Sequence, residues 1–273
     1  MVIVRTLLAL VIFICAPCTV AFATPLAWWR FEEYGGQVAG DYTGNGHAGT
    51  LFKTGVDYAF FKPVGPCGEA AFVLADGRAY FDENSLEFDQ HNQGAVVVAD
   101  SPTLRPAQAI TIEAWVFVQT GVSPNMSIVS KPILDRKAWC QTCPNSFQIS
   151  VFGDSLHFAL YNLRTKAAEV HAGPLARDRW VHVAGTWDTK SGLMRVFMNH
   201  EPKGQRPFAG PISYDGSPTI IGADADEGAG TPDTQWTQGL IDELRISDVA
   251  LSPDEMLRCV SAEERQPGRA KSR

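Results

Sequence analysis

The sequence predicts an all-β protein of two packed antiparallel sheets, and three observations lead there. Short runs rich in β-branched and aromatic residues alternate with clusters of Gly, Pro, Asp and Asn. Almost no stretch repeats its apolar residues with a helical period. No internal repeat and no Gly/Ser-rich or Pro-rich linker divides the middle of the 273 residues, so one domain is expected. With 45% apolar and 19% charged residues, the composition suits a packed core and excludes a disordered chain. The 30 acidic and 23 basic residues give a net charge of −7, which offers no electrostatic footprint for a phosphate backbone. Nucleic acid is therefore not an expected partner.

The first 23 residues read as a signal peptide, because Arg5 precedes an apolar run from Leu7 to Cys15 and Ala21-Phe22-Ala23 has the form of a cleavage site. That run is too short for a comfortable membrane span, and no later stretch approaches the roughly 20 apolar residues a spanning helix needs. A secreted or periplasmic protein is expected. Candidate strands then follow in order: Leu26 to Phe31, Ala70 to Leu74, Leu86 to Phe88, Ala95 to Val98, Ile110 to Val118, Ser127 to Ser130, Phe147 to Phe152, Ser155 to Tyr161, Trp180 to Asp188, Leu193 to Asn199, Thr219 to Ile221 and Leu240 to Ile246. One short helical turn is expected at Ser252 to Arg258, with Ser252 as cap, Pro253 at the first helical position and Glu255 completing a capping box. The domain thus covers residues 24–260, and residues 261–273 have no apolar anchor and read as a disordered tail.

Cleavage would remove Cys15 and Cys18 and leave Cys67, Cys140, Cys143 and Cys259. An even count in an exported chain points to two disulfides, and three pairings are possible. Cys140 with Cys143 and Cys67 with Cys259 is preferred, because the close pair sits in a Pro-flanked loop. A metal or redox Cys-x-x-Cys would want a second such pair or a βαβ context, and neither is present.

Two carboxylates draw attention by their strand position. Period-2 alternation places Asp242 with Leu240, Leu244 and Ile246, and Glu33 with Trp29 and Phe31. Burying an unpaired carboxylate costs several kcal/mol, so each needs a cation, donors or a raised pKa. Between them in the chain, Gly40-Asp-Tyr-Thr-Gly-Asn-Gly46 is a turn dense in oxygen atoms. A structural Ca²⁺ held by Glu33, Asp41, Asn45, Asp242 and backbone carbonyls is one expectation. In the other, Asp41 and Asn45 form Asx turns, Asp242 accepts backbone N–H groups and Glu33 reaches water.

Five segments occur in order: Trp29-Arg-Phe-Glu-Glu-Tyr-Gly-Gly, Asp41-Tyr-Thr-Gly-Asn-Gly-His-Ala-Gly-Thr-Leu51, Ile110-Thr-Ile-Glu-Ala-Trp-Val116, Trp180-Val-His-Val-Ala-Gly-Thr-Trp-Asp188 and Gly239-Leu-Ile-Asp-Glu-Leu-Arg-Ile246. Together they resemble the LamG-like jelly-roll domain of the concanavalin A-like lectin/glucanase superfamily, from about residue 26 to about 258. The resemblance implies two curved antiparallel sheets and, in some members, a structural Ca²⁺ near the paired chain ends, where Glu33, Asp41 and Asp242 match. It also implies that carbohydrate or protein binding is commoner than catalysis. Two departures stand out. Asn199-His200 replaces the usual Asn-Gly of a hairpin, which predicts a less comfortable or longer turn. Pro132 to Pro144, with Trp139 and the Cys pair, looks like an inserted loop and a first candidate for a specific surface.

Superfamily glycosidases carry a Glu-x-Asp-x-x-Glu strand. Glu87-Phe-Asp89 is the nearest approach and lacks the third acid, and Gln93 stands where a legume-lectin metal strand wants Asn, so no catalytic residue is assigned. His182 reads as a hydrogen-bonded sheet residue, while His47, His91, His157, His171 and His200 are scattered without zinc-site spacing. A sugar-binding surface should expose flat rings. Trp139, Trp236 and Tyr161 are the candidates, whereas Trp29, Trp115, Trp180 and Trp187 belong to strand motifs and the core. Asp224-Ala-Asp-Glu227 reads as a solvated acidic loop, with a second ion site or a sugar-hydroxyl anchor as the alternatives. The expected function is a secreted, non-catalytic, glycan- or surface-binding sandwich fastened by calcium. A glycan hydrolase or lyase and a structural cell-envelope protein are the other readings.

Overall fold

A computed structural model describes residues 24–52, 56–59, 65–67, 71–73, 79–122, 125–134, 144–226 and 230–260. Among these, the strands are β1 (Ala27–Trp29), β2 (Val38–Ala39), β3 (Gly49–Phe52), β4 (Val56–Ala59), β5 (Ala71–Val73), β6 (Ala79–Phe81), β7 (Ser85–Phe88), β8 (Ala95–Val98), β9 (Ala109–Val118), β10 (Met126–Pro132), β11 (Asn145–Phe152), β12 (Ser155–Asn162), β13 (Lys166–Pro174), β14 (Trp180–Asp188), β15 (Leu193–Met198), β16 (Glu201–Pro207), β17 (Thr219–Ile221), β18 (Gly239–Ser247) and β19 (Arg258–Val260). One sheet runs β16-β15-β14-β9-β18-β7-β4, with β1 also paired to β18. The other runs β13-β12-β11-β10-β17-β8-β3-β2, and every pairing is antiparallel. The all-β two-sheet sandwich read from the sequence is the fold observed.

Alternation along the strands fills the space between the sheets. Trp29, Phe31, Phe88, Ile112, Phe147, Phe158 and Trp187 are all fully buried in one apolar cluster. Packing there leaves no room at Gly185, where an added Cβ would lie 2.3 Å from the Phe158 ring. A third, small sheet, β19-β5-β6, lies outside the first one, and the Cys67–Cys259 disulfide ties the loop before β5 to β19. Trp28, Phe72 and Leu257 fill the layer between them, with Trp115 and Tyr80 packed alongside. The Cys140–Cys143 pairing, Trp139, the leader and the C-terminal tail lie outside the described residues.

Strands β13 and β16 escaped the pattern reading for a physical reason. Each is the terminal strand of its sheet. β16 has no buried residue, and an edge strand with charges and prolines carries no alternation to detect. The helical turn expected at Ser252 is corrected. Ser252 N–H donates to the Glu255 carboxylate at 2.8 Å, but the Glu255 N–H bonds the Ser252 main-chain carbonyl at 2.9 Å and not its hydroxyl, so only one turn forms and the chain then enters β19. The hairpin at Asn199-His200 is not lengthened either. Met198 pairs with Glu201, and both loop residues take positive φ, 50° and 66°. His200 offsets that strain by stacking on His182 at 4.3 Å and bonding the Leu257 carbonyl at 2.8 Å.

Candidate functional site

Asp242 is buried, but not among the apolar residues that strict alternation assigned to it. Between Asp242 and Arg245 the β18–β9 register slips, and Glu243 takes φ 50°. This bulge puts both Ile241 and Leu244 in the core, so Asp242 and Glu243 leave the sandwich interior and lie under the small sheet. There they meet Glu32, which follows β1, and Asp82, which follows β6. Carboxylate oxygens of Glu32, Asp82 and Glu243 lie within 4.8 Å of one another. Gly65 closes over them so tightly that a Cβ there would overlap the Asp82 carboxylate, at 1.8 Å.

Among the described residues, Arg30 is the cation that enters the cluster. Arg30 Nε donates to Glu243 Oε1 at 2.9 Å and its Nη2 donates to the Phe81 carbonyl at 2.7 Å. Its guanidinium lies 5.0–5.5 Å from the ring centroids of Trp28, Tyr42 and Tyr80, and Trp28 Nε1 donates to Glu243 Oε2. Glu32 lies 3.9 Å from Arg30 Nη2 and accepts the Glu83 N–H at 3.0 Å, but among the described residues no cation pairs with Asp82 or Asp242. Neither Asp82 oxygen meets a donor, and Asp242 uses Oδ1 for the Glu243 N–H at 2.7 Å while Oδ2 stays orphaned. Burial and the charge of Glu32 push Asp82 up to about 7. Burial lifts Glu243 to about 8 against the pull of Arg30, and burial with the Asp82 and Glu243 charges raises Asp242. Four carboxylates facing one guanidinium need protons or a further cation to share this space. Their hard oxygen atoms, three of them buried without a donor, suit Ca²⁺.

Of the four ligands expected from sequence, only Asp242 belongs to this cluster. Asp41 is instead the organiser of its own loop. It accepts N–H groups of Trp28, Thr43 and His47 at 3.0–3.2 Å and the Thr43 hydroxyl at 2.7 Å. Burial alone would raise its pKa, but these donors outweigh burial and hold it below the usual range. Asn45 donates its side-chain amide to the Leu26 carbonyl at 2.9 Å, and Glu33 accepts the Gly40 N–H at 2.6 Å with its other oxygen unpartnered. Turn-forming roles account for Asp41 and Asn45.

The aromatic candidates also move. Tyr161 is corrected, since it is 3% exposed and forms no surface platform. Trp236 is half-buried against Ala95, Ile220, Ala223 and Ala225. Exposed rings occur elsewhere: Tyr34 is 73%, Tyr42 53%, Phe81 68% and, on β11, Phe152 54% exposed. Tyr42 covers Trp28 and Arg30 beside the acidic cluster, Tyr34 bonds Glu83, and Phe81 ends the strand before Asp82. An open groove of about 700 Å³ beside the C-terminal turn, lined by Thr186, Asp188, Arg195, Phe197, Gln205 and Glu255, offers no exposed ring. The signal missed in the sequence was Asp242-Glu243 itself, two adjacent acids inside an otherwise apolar strand.

A second buried nest fastens the small sheet. Glu113 accepts from Arg245 Nε, from His182 Nε2 at 2.9 Å and from the Leu257 N–H at 3.0 Å. Although burial opposes ionisation, Arg245, His182 and that N–H hold Glu113 down to about 2. Asp224 of the acidic loop is buried, not solvated, and bonds Asn145 and Gln148 at 2.8 and 2.9 Å.

Fold and site define a β-sandwich of the lectin type. A family model of the concanavalin A-like lectin/glucanases superfamily, Laminin_G_3, matches residues 90–256, and the chain belongs to that family. No curated protein matches the sequence. Among solved structures, the chain is similar to the binding domain of Paraclostridial Mosquitocidal Protein 1, with TM-score 0.56, 13% identity and coverage of 85% of this chain and 50% of that one. It is similar to domain 4 of AbnA, an extracellular arabinanase from Geobacillus stearothermophilus, in complex with arabinotriose, with TM-score 0.53, 16% identity and coverage of 86% and 97%. The binding domain of botulinum neurotoxin serotype G gives TM-score 0.54, 11% identity and coverage of 85% and 49%. The chain therefore spans about half the length of the toxin domains it resembles. At these identities the likeness establishes the fold. Among the described residues, no helix is long and apolar enough to cross a membrane.

Proposed function

We propose that this protein is a secreted, non-catalytic module that binds glycan or another extracellular surface, with calcium at the acidic cluster fastening its first and last strands. The observation that carries the proposal is that Tyr42, more than half exposed, packs on the Arg30 that pairs with the buried acidic cluster, with the exposed Tyr34 and Phe81 on the chain segments beside it. Flat exposed rings cover the apolar C–H face of a sugar. Bound calcium would neutralise Glu32, Asp82 and Asp242 and hold β18, β6 and the segment after β1 in one arrangement. The arabinotriose complex of the similar arabinanase domain supports the class of ligand.

A glycan array probed with and without chelator tests this. Retention on one sugar class, weakened in Tyr34→Ala and Phe81→Ala, is the expected result. Retention that both substitutions leave unchanged would move the binding surface elsewhere, and release of reducing ends would make the protein a hydrolase.

A further inference from the structure

Strands β12 and β13 bring together three side chains that are far from zinc-site spacing in the sequence. His157 and His171 are direct cross-strand partners, and Glu169, paired with Ala159, lies on the diagonal. The register passes from Leu156↔Gly173 to His157↔His171, so Ala172 is an extra residue. This bulge keeps Leu156 in the core while both imidazoles take the opposite face.

We infer that His157, Glu169 and His171 form a binding site for one divalent transition-metal ion of the zinc class, with its fourth position open to solvent. Two imidazoles and one carboxylate are a zinc donor set, whereas calcium takes oxygen ligands, so this site is chemically separate from the acidic cluster. The Glu169 carboxylate faces both rings: Oε1 contacts His157 Nδ1, and Oε2 lies 3.7 Å from His171 Nε2. The rings stack at 4.0 Å with 19° between their planes, so protonating both would set two like charges face to face. One divalent ion satisfies both nitrogens without that repulsion. All the donor atoms lie within 4.8 Å of one another. Tetrahedral bonds of about 2.0–2.2 Å separate ligand atoms by about 3.3–3.6 Å, and because each nitrogen lone pair lies in its ring plane, one of the stacked imidazoles must turn out of the stack to reach the ion.

The surroundings keep the donors in place and in the right charge state. Hydrogen-bonded strands carry all three residues, and the Phe152 ring packs 6.1 Å from that of His157. Arg206, the nearby cation, is committed to the backbone carbonyl of Glu169 at 3.1 Å and not to its carboxylate. The hydrogen bond from His157 holds that carboxylate below its ordinary range, ready to ligate.

Untagged protein, stripped with chelator, is titrated with Zn²⁺ by calorimetry and with Co²⁺ followed by visible absorption. One equivalent is expected to bind, with the Co²⁺ spectrum of a low-coordinate N,O site. Glu169→Gln and His171→Ala, both at accessible positions, should each weaken binding about tenfold or more. Asp82→Asn should leave it unchanged. Absence of binding, affinity unchanged in Glu169→Gln and His171→Ala, or loss of binding in Asp82→Asn overturns the assignment.

Discussion

Replacing Glu113 with Gln keeps the shape of the side chain and removes the charge on which the buried nest depends. Glu113 is fully buried, and Arg245, 4% exposed, would lose its only carboxylate partner among the described residues. The nest lowers the Glu113 pKa from 4.5 to about 2. At about 1.4 kcal/mol for each tenfold change in proton affinity, this corresponds to about 3 kcal/mol. Removing one partner of a buried ion pair costs about 3–5 kcal/mol, so two routes give the same size. For a domain of this length the melting temperature should fall by about 6–12 °C. Urea unfolding at pH 7 should show an earlier midpoint with an unchanged slope. Because the folded-state pKa is depressed, the stabilisation is complete above pH 4.5 and disappears as pH falls toward about 2. The gap between wild type and Glu113→Gln must therefore narrow across that window. A loss under about 1 kcal/mol at pH 7, or a gap that stays constant down to pH 2, refutes the reasoning.

Four further outcomes are expected. In chelator, the raised pKa values of Asp82, Asp242 and Glu243 should make stability fall as pH rises from about 4 toward about 7, and Asp82→Asn should make that fall smaller. Adding Ca²⁺ should raise the melting temperature of the wild type more than that of an Asp82→Asn, Asp242→Asn double variant; no shift at millimolar Ca²⁺ removes calcium from the cluster. Gly185→Ala should cost about 1–3 kcal/mol by overpacking against Phe158, and an unchanged denaturation midpoint would mean that the ring moves aside freely. Replacing both Cys67 and Cys259 by Ser opens a link across 192 residues, and chain entropy sets the loss at up to about 5 kcal/mol, read from unfolding without reductant.

The interior of the sandwich was legible because burial on one face imposes a period of two along each strand. Trp29, Ile112, Phe158 and Trp187 lie in the core where alternation places them. The Cys67–Cys259 bridge agrees with the preferred pairing, although spacing alone left three possibilities. Edge strands were harder to see, since β16 buries none of its residues.

The site depended on features that have no local signature. A single extra residue in β18 turned Asp242 away from the apolar face, and one-residue slips reverse every later assignment on a strand. Glu32, Asp82 and Glu243 meet because β1, β6 and β18 converge, and His157 meets His171 because β12 and β13 pair in one register. Sequence by itself determined the fold class and the residues of the core, because those follow from composition and periodicity along the chain. Tertiary structure decided which acids and imidazoles share a space, because that depends on strand pairing across long separations and on bulges whose cost only the assembled sheets repay.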